Sequence, residues 1–108
     1  MANIKISWTQ PSDTSDTSGY KIFKKSVANA GDPAPSCDDY TGANALPTDS
    51  LPSGVSVCYE STYAPTASAN DEYIDAGVSL GNWHYGVFTY NSAGYSPCVS
   101  TTSATTVS

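Results

Sequence analysis

The chain has 108 residues, 39% hydrophobic and 11% aromatic, enough for the core of one small domain spanning residues 1–108. Four lysines and no arginine stand against ten acids, a net charge of −6, which excludes a typical nucleic-acid binder because phosphate neutralisation needs clustered cations. No run of about eighteen apolar residues occurs, so no membrane insertion is expected, and no charged-then-apolar leader opens the chain.

Ile4, Ile6 and Trp8 share one parity and predict a strand with those three side chains in the core. Gln10-Pro11 ends it, because proline cannot donate to a ladder. Residues 12–19 form a polar loop. Tyr20 and Ile22 then face inward on a second strand, with Lys21, Phe23 and Lys25 facing out. From about 27 to 71 the chain turns rich in Pro, Ser, Thr, Ala, Asn and Gly, with prolines at 33, 35, 47, 52 and 65. Within it Val55–Glu60 alternates and reads as a strand; the rest reads as loop. A loop this long inside a compact domain is a candidate for function.

Glu72–Val78 predicts the next strand, with Tyr73 and Val78 in the core. Gly77 and Gly81 bracket a tight corner. A long strand follows, with Trp83, Tyr85, Val87 and Thr89 on one face and His84, Gly86, Phe88 and Tyr90 on the other. Asn91-Ser92-Ala93-Gly94 turns the chain. Cys98–Val107, dominated by Thr, Ser and Val, is the last expected strand.

The run from Asp75 through Gly81 to Trp83-x-Tyr85-x-Val87-x-Thr89-x-Asn91-Ser92-Ala93-Gly94-x-Ser96 resembles a corner, strand and hairpin loop of the fibronectin type III family, bacterial and phage versions most of all. Ile4–Pro11 and Gly19–Lys25 are similar to two earlier strands of that family. The resemblance covers roughly half the chain. It implies an all-β, fibronectin type III-like (immunoglobulin-like) β-sandwich with an enlarged region between its third and fifth strands. The family's core would be built here by Trp8, Tyr20, Ile22, Trp83, Tyr85 and Val87. Trp83 stands where the family usually has a tyrosine. The family's first strand is missing or replaced, which leaves the Ile4–Trp8 strand as an uncovered edge. The 27–71 insertion, the tail, or a strand from another molecule would have to cover it.

Chemical motifs are sparse. Gly77-x-Ser79-x-Gly81 matches the nucleophile-elbow pattern, but its flanks are strand and strand, and the glycines are explained by the corner. His84 is the sole histidine, and its spacing from Ser79 on a strand, where neighbours point to alternating faces, predicts no Ser-His-Asp arrangement. The acids at 13/16, 38/39 and 71/72/75 lack calcium-loop spacing. No catalytic residue, metal ligand or cofactor is therefore expected.

Three cysteines, Cys37, Cys58 and Cys98, cannot all pair within one chain. If a disulfide forms, Cys37–Cys58 is the expected pairing, because it would staple the long segment; three reduced thiols are the other reading. Phe23, His84, Phe88 and Tyr90 share the outward face of two expected neighbours, about 4.8 Å apart. They make a candidate partner-binding patch, unless the 27–71 segment folds back over them.

The resemblance implies a non-enzymatic structural or binding module. The expected setting is a phage virion, assembled from chains made in the host cytoplasm, where it decorates a capsid or serves as a tail or fibre accessory. Its expected partners are other virion subunits or copies of itself. The alternative is an extracellular spacer or weak glycan-binding module of a bacterial carbohydrate-active enzyme or adhesin.

Overall fold

The computed structural model describes residues 2–29, 36–41, 50–79, 81–95, 99–100 and 105–107. Strands β1 (Ala2–Thr9) and β2 (Gly19–Val27) precede a short helix α1 (Cys37–Thr41); β3 (Val55–Ser61), β4 (Asn70–Val78) and β5 (Gly81–Asn91) follow, then the short strands β6 (Gly94–Tyr95), β7 (Val99–Ser100) and β8 (Thr105–Val107). Cys98, Pro33, Pro35 and Pro47 lie outside the described residues, as does the Cys37 side chain.

Two antiparallel sheets pack together, the arrangement of a β-sandwich. β1 and β4 form the smaller sheet. The larger sheet runs β3-β2-β5-β6, with β7 and β8 also paired to β5. Ile4, Ile6 and Trp8 from the small sheet meet Ile22, Tyr85 and Val87 from the large one, with Val78 closing the layer. Tyr20, Cys58, Tyr73 and Trp83 pack at its margin. Removing that apolar surface from water stabilises the fold by roughly 1.5–3 kcal/mol for each fully buried large side chain. The core expected from parity thus forms, with Tyr20 and Trp83 half-buried at its rim.

The turn from β4 to β5 depends on Gly77, whose φ of +67° is the left-handed region that side chains disfavour. Trp83 fastens the same corner. Its indole Nε1 donates to the Ser79 carbonyl at 3.1 Å.

One element was not expected. Residues 37–41 form a helix where composition reads as loop. Ser36 and Asp39 explain its start. The Asp39 carboxylate accepts from the Ser36 amide at 2.9 Å, and the Asp39 amide donates back to the Ser36 carbonyl at 3.0 Å. This is the back-reaching half of a capping box, with Asp in place of Glu.

On the outer face of the large sheet the second of the two expectations holds, with residues of the 27–71 segment folded over it. Phe23, Tyr40 and Phe88 form a second buried cluster there, flanked by Leu51, Val55 and Tyr95. The rings of Phe23 and Phe88 meet edge to face with centroids 5.1 Å apart, and Tyr40 meets Phe88 at 5.8 Å. Aromatic pairs in this geometry add roughly 0.5–1.5 kcal/mol beyond their burial. β5 is therefore covered on both faces, which is why residues 84–89 are buried without alternation.

Candidate functional site

The expected aromatic patch is not a surface. Phe23, His84 and Phe88 are all buried, and Tyr90 is half-buried with its hydroxyl donating to Glu60 Oε2 at 2.9 Å. The covering comes from the 27–71 region itself, through Tyr40, Leu51 and Val55. The apolar side chains on that face outweighed exposure, because burying them is favourable and a ring was within reach of each.

The Cys58 thiol is free and donates to the Ile22 carbonyl at 3.3 Å. It packs against the inter-sheet core, while α1, which carries Cys37, packs its Tyr40 on the opposite face of the large sheet. Burial first, and then the Asp75 carboxylate, push the Cys58 pKa up to about 12. A thiol so placed is a poor nucleophile at neutral pH. Ser79 is exposed at the β4–β5 turn, whereas His84 is fully buried on the parity of Phe88.

A polar network that sequence reasoning missed joins the two sheets. Asp75 of β4 is only 6% exposed. Its Oδ2 accepts from Lys24 Nζ at 3.1 Å and from the Tyr85 hydroxyl at 2.9 Å. Lys24 Nζ also lies 5.0 Å from the Trp83 ring centroid, in cation–π range. Burial, and then the bond to Asp75, raise the Tyr85 pKa well above the ordinary tyrosine value. Every ionic member has a counter-charge or hydrogen bond, so the network acts as an inter-sheet clasp. The signal was present in the sequence: Lys24 shares the inward parity of Tyr20 and Ile22, and Asp75 that of Tyr73.

The feature best suited to binding is the edge of β1. Gln10 donates its amide to the Ala69 carbonyl at 2.8 Å. Bonded residues alternate along an antiparallel ladder, and the register pairs Trp8 with Asp71 and Ile6 with Tyr73. The main-chain groups of Ile6 and Trp8 therefore face β4. Those of Lys5, Ser7 and Thr9 face outward. Their side chains are exposed on the outer face, while Ile4, Ile6 and Trp8 point into the core.

Among the described residues nothing pairs with that edge. The described parts of the tail, β7 and β8, pair with β5, and β3 pairs with β2. The strands β3, β7 and β8, which belong to two of the three expected covers, thus pair within the large sheet and not with this edge. The edge runs regularly from Ile4 to Thr9, with one register shift between Ala2 and Ile4. It holds no proline and one lysine, which leaves it lightly protected against pairing.

No group of three His, Cys, Asp or Glu side chains among the described residues could hold a metal ion, and no described helix is long and apolar enough to cross a membrane. Comparison with protein-family models, with curated proteins and with solved structures finds no match to this chain.

Proposed function

We propose that this chain is a non-enzymatic structural module of the fibronectin type III kind that binds by accepting a strand along β1. Its setting in this reading is a phage virion, as a capsid-decorating or tail and fibre accessory subunit. The observation that carries the reading is the regular row of outward main-chain groups at Lys5, Ser7 and Thr9. Main-chain pairing supplies affinity, and the exposed outer-face side chains supply register. Two packed antiparallel sheets, β1-β4 and β3-β2-β5-β6, are compatible with the β-sandwich that the resemblance implies.

The glycan-binding alternative drew its support from an exposed aromatic face. Phe23 and Phe88 are buried, so that face offers a sugar nothing; among the described residues the exposed aromatic side chains are Tyr59 and Tyr63, on and after β3, and they do not share a face with the candidate patch.

Amide hydrogen exchange on the isolated chain tests the binding mode. Lys5, Ser7 and Thr9 amides are expected to exchange fast while Ile6 and Trp8 stay protected. Equal protection of all five means the edge is already covered, and the reading fails. The virion setting is tested by mass spectrometry of purified particles of the virus that encodes the chain. Absence of its peptides from the particles removes that setting.

A further inference from the structure

We infer that the strand β1 accepts is β4 of a second copy of this chain, so that copies add head to tail through their two-stranded sheets. This rests on the strand-addition reading above and names its partner.

The small sheet has two edges, and neither has a partner among the described residues. The ladder that turns Lys5, Ser7 and Thr9 outward on β1 turns Asn70, Glu72 and Ile74 outward on β4. The two edges match. An antiparallel approach that sets Lys5 opposite Glu72 of the next copy sets Ser7 opposite its Asn70. All four residues then offer outward amides and carbonyls to one another. Their side chains share the exposed outer face.

Charge selects this pairing over the alternatives. The exposed β1 side chains Asn3, Lys5, Ser7 and Thr9 include one cation and no acid. The exposed β4 side chains Asn70, Glu72, Ile74 and Ala76 include one acid and no cation. Opposite charges facing each other across strands are favourable, and like charges are not. Pairing β4 with β4 sets the Glu72 side chains of two copies near each other. Pairing β1 with β1 offers Lys5 no acid in the partner strand. Only β1 with β4 brings a cation to an acid. Within one copy Lys5 already meets Glu72 at 3.0 Å, so the two side chains reach each other from adjacent strands.

The β3 edge of the large sheet is blunted. β3 is the outermost strand of the large sheet, but its pairing with β2 shifts register between Ile22 and Phe23, which leaves Cys58 as the extra residue. A bulge bends and twists an edge away from a partner. Ile74, 54% exposed on β4, would gain strand neighbours in the head-to-tail contact. A contact between two different edges leaves one edge of each kind free in a dimer. It builds on into rings or filaments, which suits a subunit present in many copies.

The test is light scattering over a concentration series at physiological ionic strength, on the wild type, on Lys5→Glu, on Glu72→Lys and on an equimolar mixture of the two variants. The wild type's mass is expected to rise with concentration. Each variant alone places like charges at the contact and stays at monomer mass. In the mixture the new carboxylate on β1 of one variant meets the new ammonium on β4 of the other, and assembly returns. Both side chains of the internal pair are more than half exposed, so losing it leaves the fold intact, which a melting curve checks. A wild type that stays monomeric throughout overturns the proposal, as does a variant that assembles like the wild type. Hydrogen exchange then separates the two readings. Fast exchange at Lys5, Ser7 and Thr9 in a monomer removes only the second copy as partner, whereas protection there in a monomer removes strand addition as well.

Discussion

Lys24 of β2 reaches across the sandwich to Asp75 of β4, Nζ to Oδ2 at 3.1 Å, and so ties the large sheet to the small one. The Asp75 side chain is 9% exposed and that of Lys24 20%. Losing the lysine leaves a buried carboxylate with one hydroxyl donor, Tyr85. We expect Lys24→Met to destabilise the fold by roughly 1–3 kcal/mol, and Asp75→Asn by less, because Asn still accepts from Tyr85 and the freed ammonium can turn toward water. The double variant should be less destabilised than the sum of the two. Urea unfolding of all four proteins closes the cycle. Strict additivity would show that the pair is geometric coincidence rather than a clasp.

Tyr40 rests on Gly86. A Cβ at Gly86 would lie 3.1 Å from Tyr40 Cε2 and 3.2 Å from Phe88 Cε1, tighter than most such contacts, so the buried rings would have to give by a few tenths of an ångström. This close approach is why the central strand of the large sheet carries a glycine at its middle. Gly86→Ala should therefore push the ring off the sheet and destabilise by about 1–3 kcal/mol. Tyr40→Ala should lose about 3 kcal/mol and uncover Phe23 and Phe88. Binding of an apolar dye to the folded Tyr40→Ala protein is the direct readout. No gain in dye binding would mean that something other than Tyr40 covers those rings.

Alkaline pH should weaken the fold through Cys58. Its pKa rises from 9.0 to about 12 in the folded chain, first through burial and then through Asp75. The folded state therefore holds the proton after the unfolded state has released it. The stabilisation is complete below the unfolded pKa and falls as pH climbs from about 9 toward 12. Tyr85, also raised, acts in the same direction. Urea midpoints measured from about pH 8 upward should decline, and Cys58→Ala should decline less steeply than the wild type. At neutral pH the native thiol should resist alkylation at this position and react once urea is added, as peptide mapping will show. Rapid native alkylation of Cys58 would contradict its burial.

Much of the sandwich was legible because strands advertise themselves by parity. Ile4, Ile6 and Trp8 could lie only on one face, and Trp83, Tyr85 and Val87 on one face of another strand. The large apolar side chain on the second parity of β5, Phe88, was also legible, and signals a strand covered twice. The 27–71 segment was a named candidate for its cover, but Tyr40 itself was not legible, because it sits in a stretch whose composition speaks for loop. Only the Ser36-x-x-Asp39 spacing hinted at a helix. The Lys24–Asp75–Tyr85 clasp depends on how two sheets stack, which no local pattern encodes. Lysine and aspartate at inward positions of two strands were the trace it left. Which main-chain groups of β1 face away from β4 was not legible, because it depends on the ladder register, here set by Gln10 and Ala69.

At the β4–β5 corner the Trp83 indole N–H reaches the Ser79 carbonyl at 3.1 Å. Two substitutions separate the N–H from the ring. Trp83→Phe keeps an aromatic face for Lys24 and removes the donor, so it should destabilise by about 1 kcal/mol, with water replacing the bond in part. Trp83→Tyr restores a donor at the ring's end and should recover most of that loss. Thermal melts of both variants decide the matter. If Phe loses nothing, the ring's packing against Lys24 holds the corner and the N–H does not. If Phe loses and Tyr recovers, a donor to the Ser79 carbonyl is what the corner needs.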